Sequence, residues 1–458
     1  MAPSRTFAIL AVAAAAFAAL QSLLNPVLQT IQQDLNTSQS TVTWVLTVWL
    51  MSAAIATPLL GRAGDMVGKK RALLLALGAV VAGSLICAIA PNVGVLLIGR
   101  VLQGLGGAVF PLSFGIIRDE FPAERVPSAI GAMAAVLSVF GGVGTILAGP
   151  IVGALSWRWL FWLPMIVELA AAALVWRFVP ESPSRTGGRI NWFAASLLAG
   201  WLVALLLPLS KGAGWGWSSD PVLGLFALAI VLFLAWVYVE SRAGEPVIDL
   251  KMMRLPAVWT TNLVALLFGA SMFAIYAFVP RFAQTSTATG YGFGLSITQS
   301  GLILLPLLVT MGIAGLLSAR IPVSFKAQLG IGSAFGAIAA AGLAFFHHFQ
   351  WEVAFASGVF GLGLGLVYAS MSSLIIQGVA PDQTGVASGM NTNIRNIGGA
   401  VGTALFSSLI TGTTQATGLP AETGYTQGFL LFAVVGFAAV AVSLIVPGRR
   451  PQAVPVPA

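Results

Sequence analysis

Residues 61–71 read GRAGDMVGKKR, and five of these eleven side chains are ionic in a 458-residue chain that is only 8% charged. Long apolar runs flank them, TVTWVLTVWLMSAAIATPLL before and ALLLALGAVVAGSLICAIA after. Charge concentrated between two such runs reads as a tight loop on the water side of a membrane, joining two helices that cross it.

The whole chain extends this pattern. With 58% hydrophobic residues and a mean hydropathy of +0.94, it carries more apolar surface than a soluble fold of this length can cover. Fourteen windows are long enough to cross as helices, at residues 7–29, 42–60, 72–91, 93–117, 127–154, 159–179, 192–209, 221–239, 258–282, 298–318, 329–347, 351–377, 385–411 and 427–446. The expected class is therefore an all-α integral membrane fold of fourteen transmembrane helices.

A net charge of +8 raises the question of nucleic acid, but topology accounts for it. With the N-terminus inside, only Arg158, Lys211 and Arg281 lie outside and only Arg100 and Arg395 lie within spans, which leaves 17 of the 22 cations on the cytoplasmic face. GRAGDMVGKKR then joins spans 2 and 3 on that face, and both termini are cytoplasmic. The first apolar run continues to Leu28, too long for a signal-peptide core, and is expected to be retained. There is no Walker-type phosphate loop, nucleophile–base pair or metal-ligand spacing, so neither an enzyme nor a cofactor is expected. Cys87 reads as a small buried hydrophobe, and His347, His348 and Glu352 as polar residues at the interface.

Shifting the sequence against itself by 257 residues places Gly104-Leu105-Gly106 on Gly361-Leu362-Gly363, Met133 on Met390, Gly141-Gly142 on Gly398-Gly399 and Lys69 on Lys326. The common offset predicts two parallel six-helix repeats, residues 1–180 and 258–458, separated by a transmembrane hairpin at 181–257. Parallel repeats are the plan of a secondary transporter, with a substrate site between halves that rock against each other.

On these motifs the chain resembles the fourteen-span drug:proton antiporter branch of the major facilitator superfamily. Gly61, Asp65, Gly68, Lys69 and Lys70 match that family's loop 2–3 signature, and the resemblance implies that Asp65 and nearby cations latch the cytoplasmic side against the other half. LLIGRVLQGLGGAVFP at 96–111 matches the span 4 signature, in which Arg100 and Gln103 share a helical face. AGPIVG in span 5 resembles the antiporter motif, and Gly141, Thr145, Gly149 and Gly153, with Pro150, form a stripe expected to let helices touch closely. The departure is in span 1, where Asn25 is present but Leu20, beside Gln21, stands where the family usually carries a proton-binding aspartate.

Among the fourteen acidic residues only Glu168 lies well within a span, and it is expected either to couple protons or to pair with the inserted hairpin. Span 13 reads SGMNTNIRNIGGAVG, and Asn391 and Arg395 share a face there; Asn262, Tyr276 and Tyr368 are further candidates for the cavity wall. Two intramembrane arginines against one carboxylate predict an electropositive centre. The resulting expectation is a monomeric exporter of a small amphipathic molecule in a bacterial inner membrane, driven by proton antiport. The missing aspartate keeps open an uncoupled or anion-driven facilitator of a small organic anion, and a non-transporting sensor or scaffold is the third possibility.

Overall fold

In a lipid core the backbone must satisfy its own hydrogen bonds, and long apolar runs do so as helices. The computed structural model describes residues 3–37, 39–42, 44–182, 190–244, 246, 248, 250–380, 383–413 and 421–447. Among them the secondary structure is entirely helical. Arg185, Arg189, Arg449 and Arg450, assigned to the cytoplasmic face by sequence, fall outside the described residues.

The long helices are α1 Pro3–Ser22, α2 Trp44–Val67, α3 Lys69–Ala88, α4 Val93–Glu120, α5 Val126–Ala154 and α6 Trp159–Phe178. They continue with α7 Trp192–Trp215, α8 Asp220–Arg242, α9 Pro256–Gln284, α10 Thr298–Arg320, α11 Phe325–Phe345, α12 Gln350–Gly378, α13 Thr384–Gly412 and α14 Glu422–Ile445. Thirteen are long and apolar enough to cross a membrane; α13, at 29 residues, has the length but carries Asn391, Asn393, Arg395 and Asn396.

Breaks follow local chemistry. α1 ends at Ser22 rather than continuing to residue 29, because Pro26 lacks an N–H and the chain passes into a 3-10 turn at Asn25–Val27. α10 is interrupted at Leu304, ahead of Pro306. Within α4 the glycines of Leu105–Ala108 tighten one turn into 3-10 geometry.

One hydrophobic cluster draws on residues 9–179 with Ile376, and a second on residues 264–446. Packing recurs with a shift of eight in rank: α1 on α5, α3 on α4 and α6, and α2 on α4 correspond to α9 on α13, α11 on α12 and α14, and α10 on α12. Gly104 meets Ser52 of α2, while Gly361, at the 257-residue offset, meets Leu307 and Thr310 of α10. Between these groups of helices, α2 packs on α13 and α5 on α10. The α7–α8 hairpin packs on α2 and α13, with Thr47 and Ser210 hydroxyls 2.7 Å apart and Trp217 Nε1 donating to Ser408 Oγ at 2.9 Å.

Candidate functional site

The charged loop of residues 61–71 sits where α2 turns into α3. Gly68 has φ 114°, and a side chain there would strike the Glu181 carboxylate. That carboxylate accepts the Lys70 backbone N–H at 3.1 Å and lies 3.5 Å from Arg71 Nε. Lys69 is fully buried, with Nζ 2.7 Å from Asp119 Oδ2 and 3.3 Å from Ser182 Oγ, and Ser182 also donates to Asp119. These bonds of the loop cations tie α3 to the end of α4 and to the residues after α6, all in the first 182 residues.

The reach across to the second group of helices comes from Asp65 and Arg118. Asp65 is 1% exposed, and its Oδ2 accepts the Val386 N–H, 3.3 Å away, in the first turn of α13. A helix N-terminus offers unpaired amides and the positive end of the dipole, so a carboxylate suits it. Arg118, in the last turn of α4, donates to the Val379 carbonyl at 3.0 Å and to Thr384 Oγ1 at 2.5 Å, bridging the end of α12 to the start of α13. Arg118 and Asp119 were missed as site residues: as adjacent charges at a span end they look like ordinary cytoplasmic anchors.

The two intramembrane arginines have different surroundings. Arg100 of α4 is fully buried, donates from Nε to the Val45 carbonyl at 2.9 Å and from Nη1 to Gln103 Oε1 at 2.7 Å, and stacks 5.3 Å from the Trp49 ring. Gln103 in turn donates to Ser84 Oγ at 2.7 Å. The expected Arg100–Gln103 pair is thus held within a cluster joining α2, α3 and α4.

Arg395 lines a narrow cleft between α4, α5, α12 and α13. Phe110 and Phe114 face it from α4 and Leu137 from α5; Tyr368, Ser372 and Ile375 face it from α12. From α13 come Ser388, Asn391, Thr392 and Arg395, at the three- and four-residue steps of one helical face. Among the described residues the Arg395 guanidinium has no hydrogen-bond or ion-pair partner, and it lies 4.6 Å from the Tyr368 ring centroid. Asn391 donates to Asn262 Oδ1 at 2.8 Å, which brings two of the candidates together beside the cleft, while Tyr276 donates toward Met311 Sδ at 3.7 Å and is not among the lining residues. Asn393 donates to the Ala54 carbonyl, another tie between α13 and α2.

Glu168 is fully buried, and neither carboxyl oxygen has a hydrogen-bond partner among the described residues. It lies with Pro164, Ala171 and Val175 on the buried face of α6, a helix that packs on α1 and α3. Among the described residues the expected pairing with the hairpin is not found; α7 lies against α2 and α13 instead, with α8 packed on α7. Gln21 is half-buried at the end of α1, and Asn25 lies past that end, in the 3-10 turn.

In α5 the stripe expected to pack closely is only partly in contact. Gly149 meets Thr298 of α10, but a side chain at Gly141 or Gly153 would find nothing nearby, and half-buried Thr145 and exposed Pro150 add no tight seam. The close approaches are at Gly142, against Leu308 of α10, and Gly144, against Ser22 and Ala19 of α1. α5 serves two partners on different sides, so its small residues divide between two faces. At the far end, His347 Nε2 lies 2.9 Å from Glu422 Oε1, a partner the spacing did not suggest.

Residues 10–403 match the Major Facilitator Superfamily, to which the chain belongs. It is a multi-pass membrane transporter of small molecules, not an enzyme. It is 28% identical over 375 residues to Multidrug resistance protein 3 of Bacillus subtilis, covering 80% of this chain and 72% of that one. It is 28% identical to the Methylenomycin A resistance protein of Streptomyces coelicolor (82% and 79% covered) and 29% identical to the Tetracenomycin C resistance and export protein of Streptomyces glaucescens (83% and 71%). The fold is shared with the human organic anion transporter MFSD10 (TETRAN), at a TM-score of 0.67 and 15% identity, over 97% of this chain and 100% of that one.

Proposed function

We propose that this member of the major facilitator superfamily exports a small amphipathic compound from a bacterial cell by proton antiport, through alternating access. In this reading fourteen helices cross the inner membrane, with both termini cytoplasmic. Residues 1–180 and 258–458 form two six-helix halves, the 181–257 hairpin spans their seam, and the monomer is the working unit. The recurring packing at a rank shift of eight supports the two-half plan, and the resistance and export functions named for the relatives support the direction of transport.

The observation that carries the reading is the closure around the α13 N-terminus. Asp65 and Arg118 reach from the ends of α2 and α4 to α12 and α13 on the face that holds the charged loop. These few polar bonds sit at one end of the seam, with the cleft beyond them. Breaking them would open the cytoplasmic side, and remaking them would close it. Asp65, Gly68, Lys69 and Lys70 then set the conformational equilibrium without touching substrate.

Coupling is assigned to Glu168, an intramembrane carboxyl that has no hydrogen-bond partner among the described residues. Leu20 in the usual aspartate position, and a cleft lined by no acid among the described residues, favour a second reading: an uncoupled or anion-driven facilitator. Flux of a compound panel in proteoliposomes, with and without an imposed pH gradient, separates the two. Accumulation only with the gradient supports antiport. Equal flux without it supports the facilitator, and no flux for any compound counts against transport of this substrate class.

A further inference from the structure

We infer that the cleft between α4, α5, α12 and α13 recognises an amphipathic organic anion, whose carboxylate or sulfonate is taken by Arg395. The inference deepens the proposed export reading by naming the substrate class of its central site.

Arg395 is 8% exposed, and its guanidinium has no hydrogen-bond or ion-pair partner among the described residues. A guanidinium carries five N–H donors and cannot shed its charge as Lys or His can, so leaving it unpaired in a buried site is costly. The surrounding structure holds it there nonetheless. Its stem rests on α9 at Gly269, where a Cβ would collide with the Arg395 backbone and Cγ. Tyr368 lies 4.6 Å away and supports the cation through its ring, leaving the N–H edges free for a planar, two-oxygen acceptor.

The rest of the lining completes the specificity. Among the described residues no Asp or Glu lines the cleft. A cationic ligand would therefore meet an arginine without any compensating acid, and like-charge contact in a desolvated site works against it. The closed cleft has room for little more than a water molecule, so the ligand enters as the two groups of helices part; Phe110, Phe114 and Ile375 would then provide apolar surface for its body, and Ser388 and Asn391 neutral hydrogen-bonding groups. Arg100 adds nothing to this field at short range, because it lies outside the cleft lining and is bonded to Val45 and Gln103.

Two xanthene dyes of similar size test the assignment on the purified full-length protein: fluorescein, an anion, and rhodamine 123, a cation. Wild type is expected to bind fluorescein at least about tenfold more tightly. Arg395→Gln should remove that preference, and Arg395→Lys should retain part of it. Thr392→Asp, which places a carboxylate one turn from Arg395, should shift the preference toward rhodamine 123, a gain that misfolding cannot mimic. Preference for rhodamine 123 in wild type, binding of neither dye, or a fluorescein preference that survives Arg395→Gln would each overturn the inference. Rhodamine 123 flux without fluorescein binding overturns it while leaving export standing. Fluorescein binding at Arg395 with no flux of either dye overturns export and leaves the inference.

Discussion

Arg100 and Arg395 are the same residue type in the same kind of place, each inside a long helix and each nearly or fully removed from solvent. One is bonded to a carbonyl and a glutamine and stacks on an aromatic face from its own side of the molecule; among the described residues the other has an aromatic face alone. Burial therefore does not tell what an intramembrane charge does. The hydrogen bonds differ: two of them hold Arg100 to Val45 and Gln103 and leave only its Nη2 without a partner, whereas the Arg395 guanidinium makes none among the described residues and stays available for a ligand.

The largest expected effect tests this division directly. Arg100→Ala should destabilise the protein by about 2–4 kcal/mol, because it removes charge-assisted bonds and strands the Gln103 carbonyl in a dry site. Arg395→Leu should leave thermal stability unchanged or raise it, since an uncompensated buried charge is replaced by apolar surface. Melting temperatures of the two variants in the same detergent, measured without ligand, check the contrast. Equal losses would break it and return Arg395 to a structural role.

Glu168 is the carboxyl counterpart of Arg395, buried and without hydrogen-bond partners among the described residues. If unsatisfied groups are the working ones, Glu168→Gln should abolish accumulation driven by a pH gradient, preserve substrate exchange and leave the melting temperature within a degree or two. Exchange needs only the conformational cycle, whereas coupling needs a group that titrates. Full proton-driven accumulation by the variant would move coupling to another residue.

Much of this arrangement was legible in the sequence. Helix positions followed from apolar run length, and the extents of α3 to α6 and of α12 to α14 lie within a few residues of the expected spans, since nothing but helix satisfies the backbone in lipid. Asp65 was legible because a carboxylate is not needed to anchor a cytoplasmic loop. The partners were not legible. Sequence spacing shows which residues share a helix face, yet the contacts of Arg100 with Val45, of Asp65 with Val386 and of Lys69 with Asp119 join separate helices. The same limit explains α5, where a four-residue stripe marked Gly141 and Gly153 while the close approaches fell at Gly142 and Gly144.

The cytoplasmic closure supplies a middle-sized test. A hydrogen bond to a charged acceptor is worth about 1.5–3 kcal/mol, so Asp65→Asn should shift the closed-to-open equilibrium by roughly tenfold or more. Cytoplasmic labelling of a cysteine placed at Ser388 should rise, transport should slow, and fluorescein affinity should change little. Arg118→Gln should act in the same direction. Unchanged labelling in both variants would make these contacts ordinary packing.

A third arginine calibrates the small end of the scale. Arg158 is half-exposed, and with Trp157 it donates to Asp34 Oδ2, at 2.9 and 2.8 Å respectively. The Trp157 bond first, then that of Arg158, holds the Asp34 carboxyl below its usual value of 3.8. A depressed folded pKa means that the carboxylate contributes stability above the unfolded value and loses it as pH falls through the folded one. The Asp34 side chain is 46% exposed, so screening by solvent keeps that contribution below about 1 kcal/mol. Asp34→Asn should therefore lower the melting temperature slightly at pH 7, and the gap from wild type should narrow as pH falls below 4. A gap that persists unchanged at low pH would mean that Trp157 and Arg158 hold the protonated carboxyl as well as the carboxylate. Exposed arginine pairs would then contribute through hydrogen-bond geometry rather than through charge.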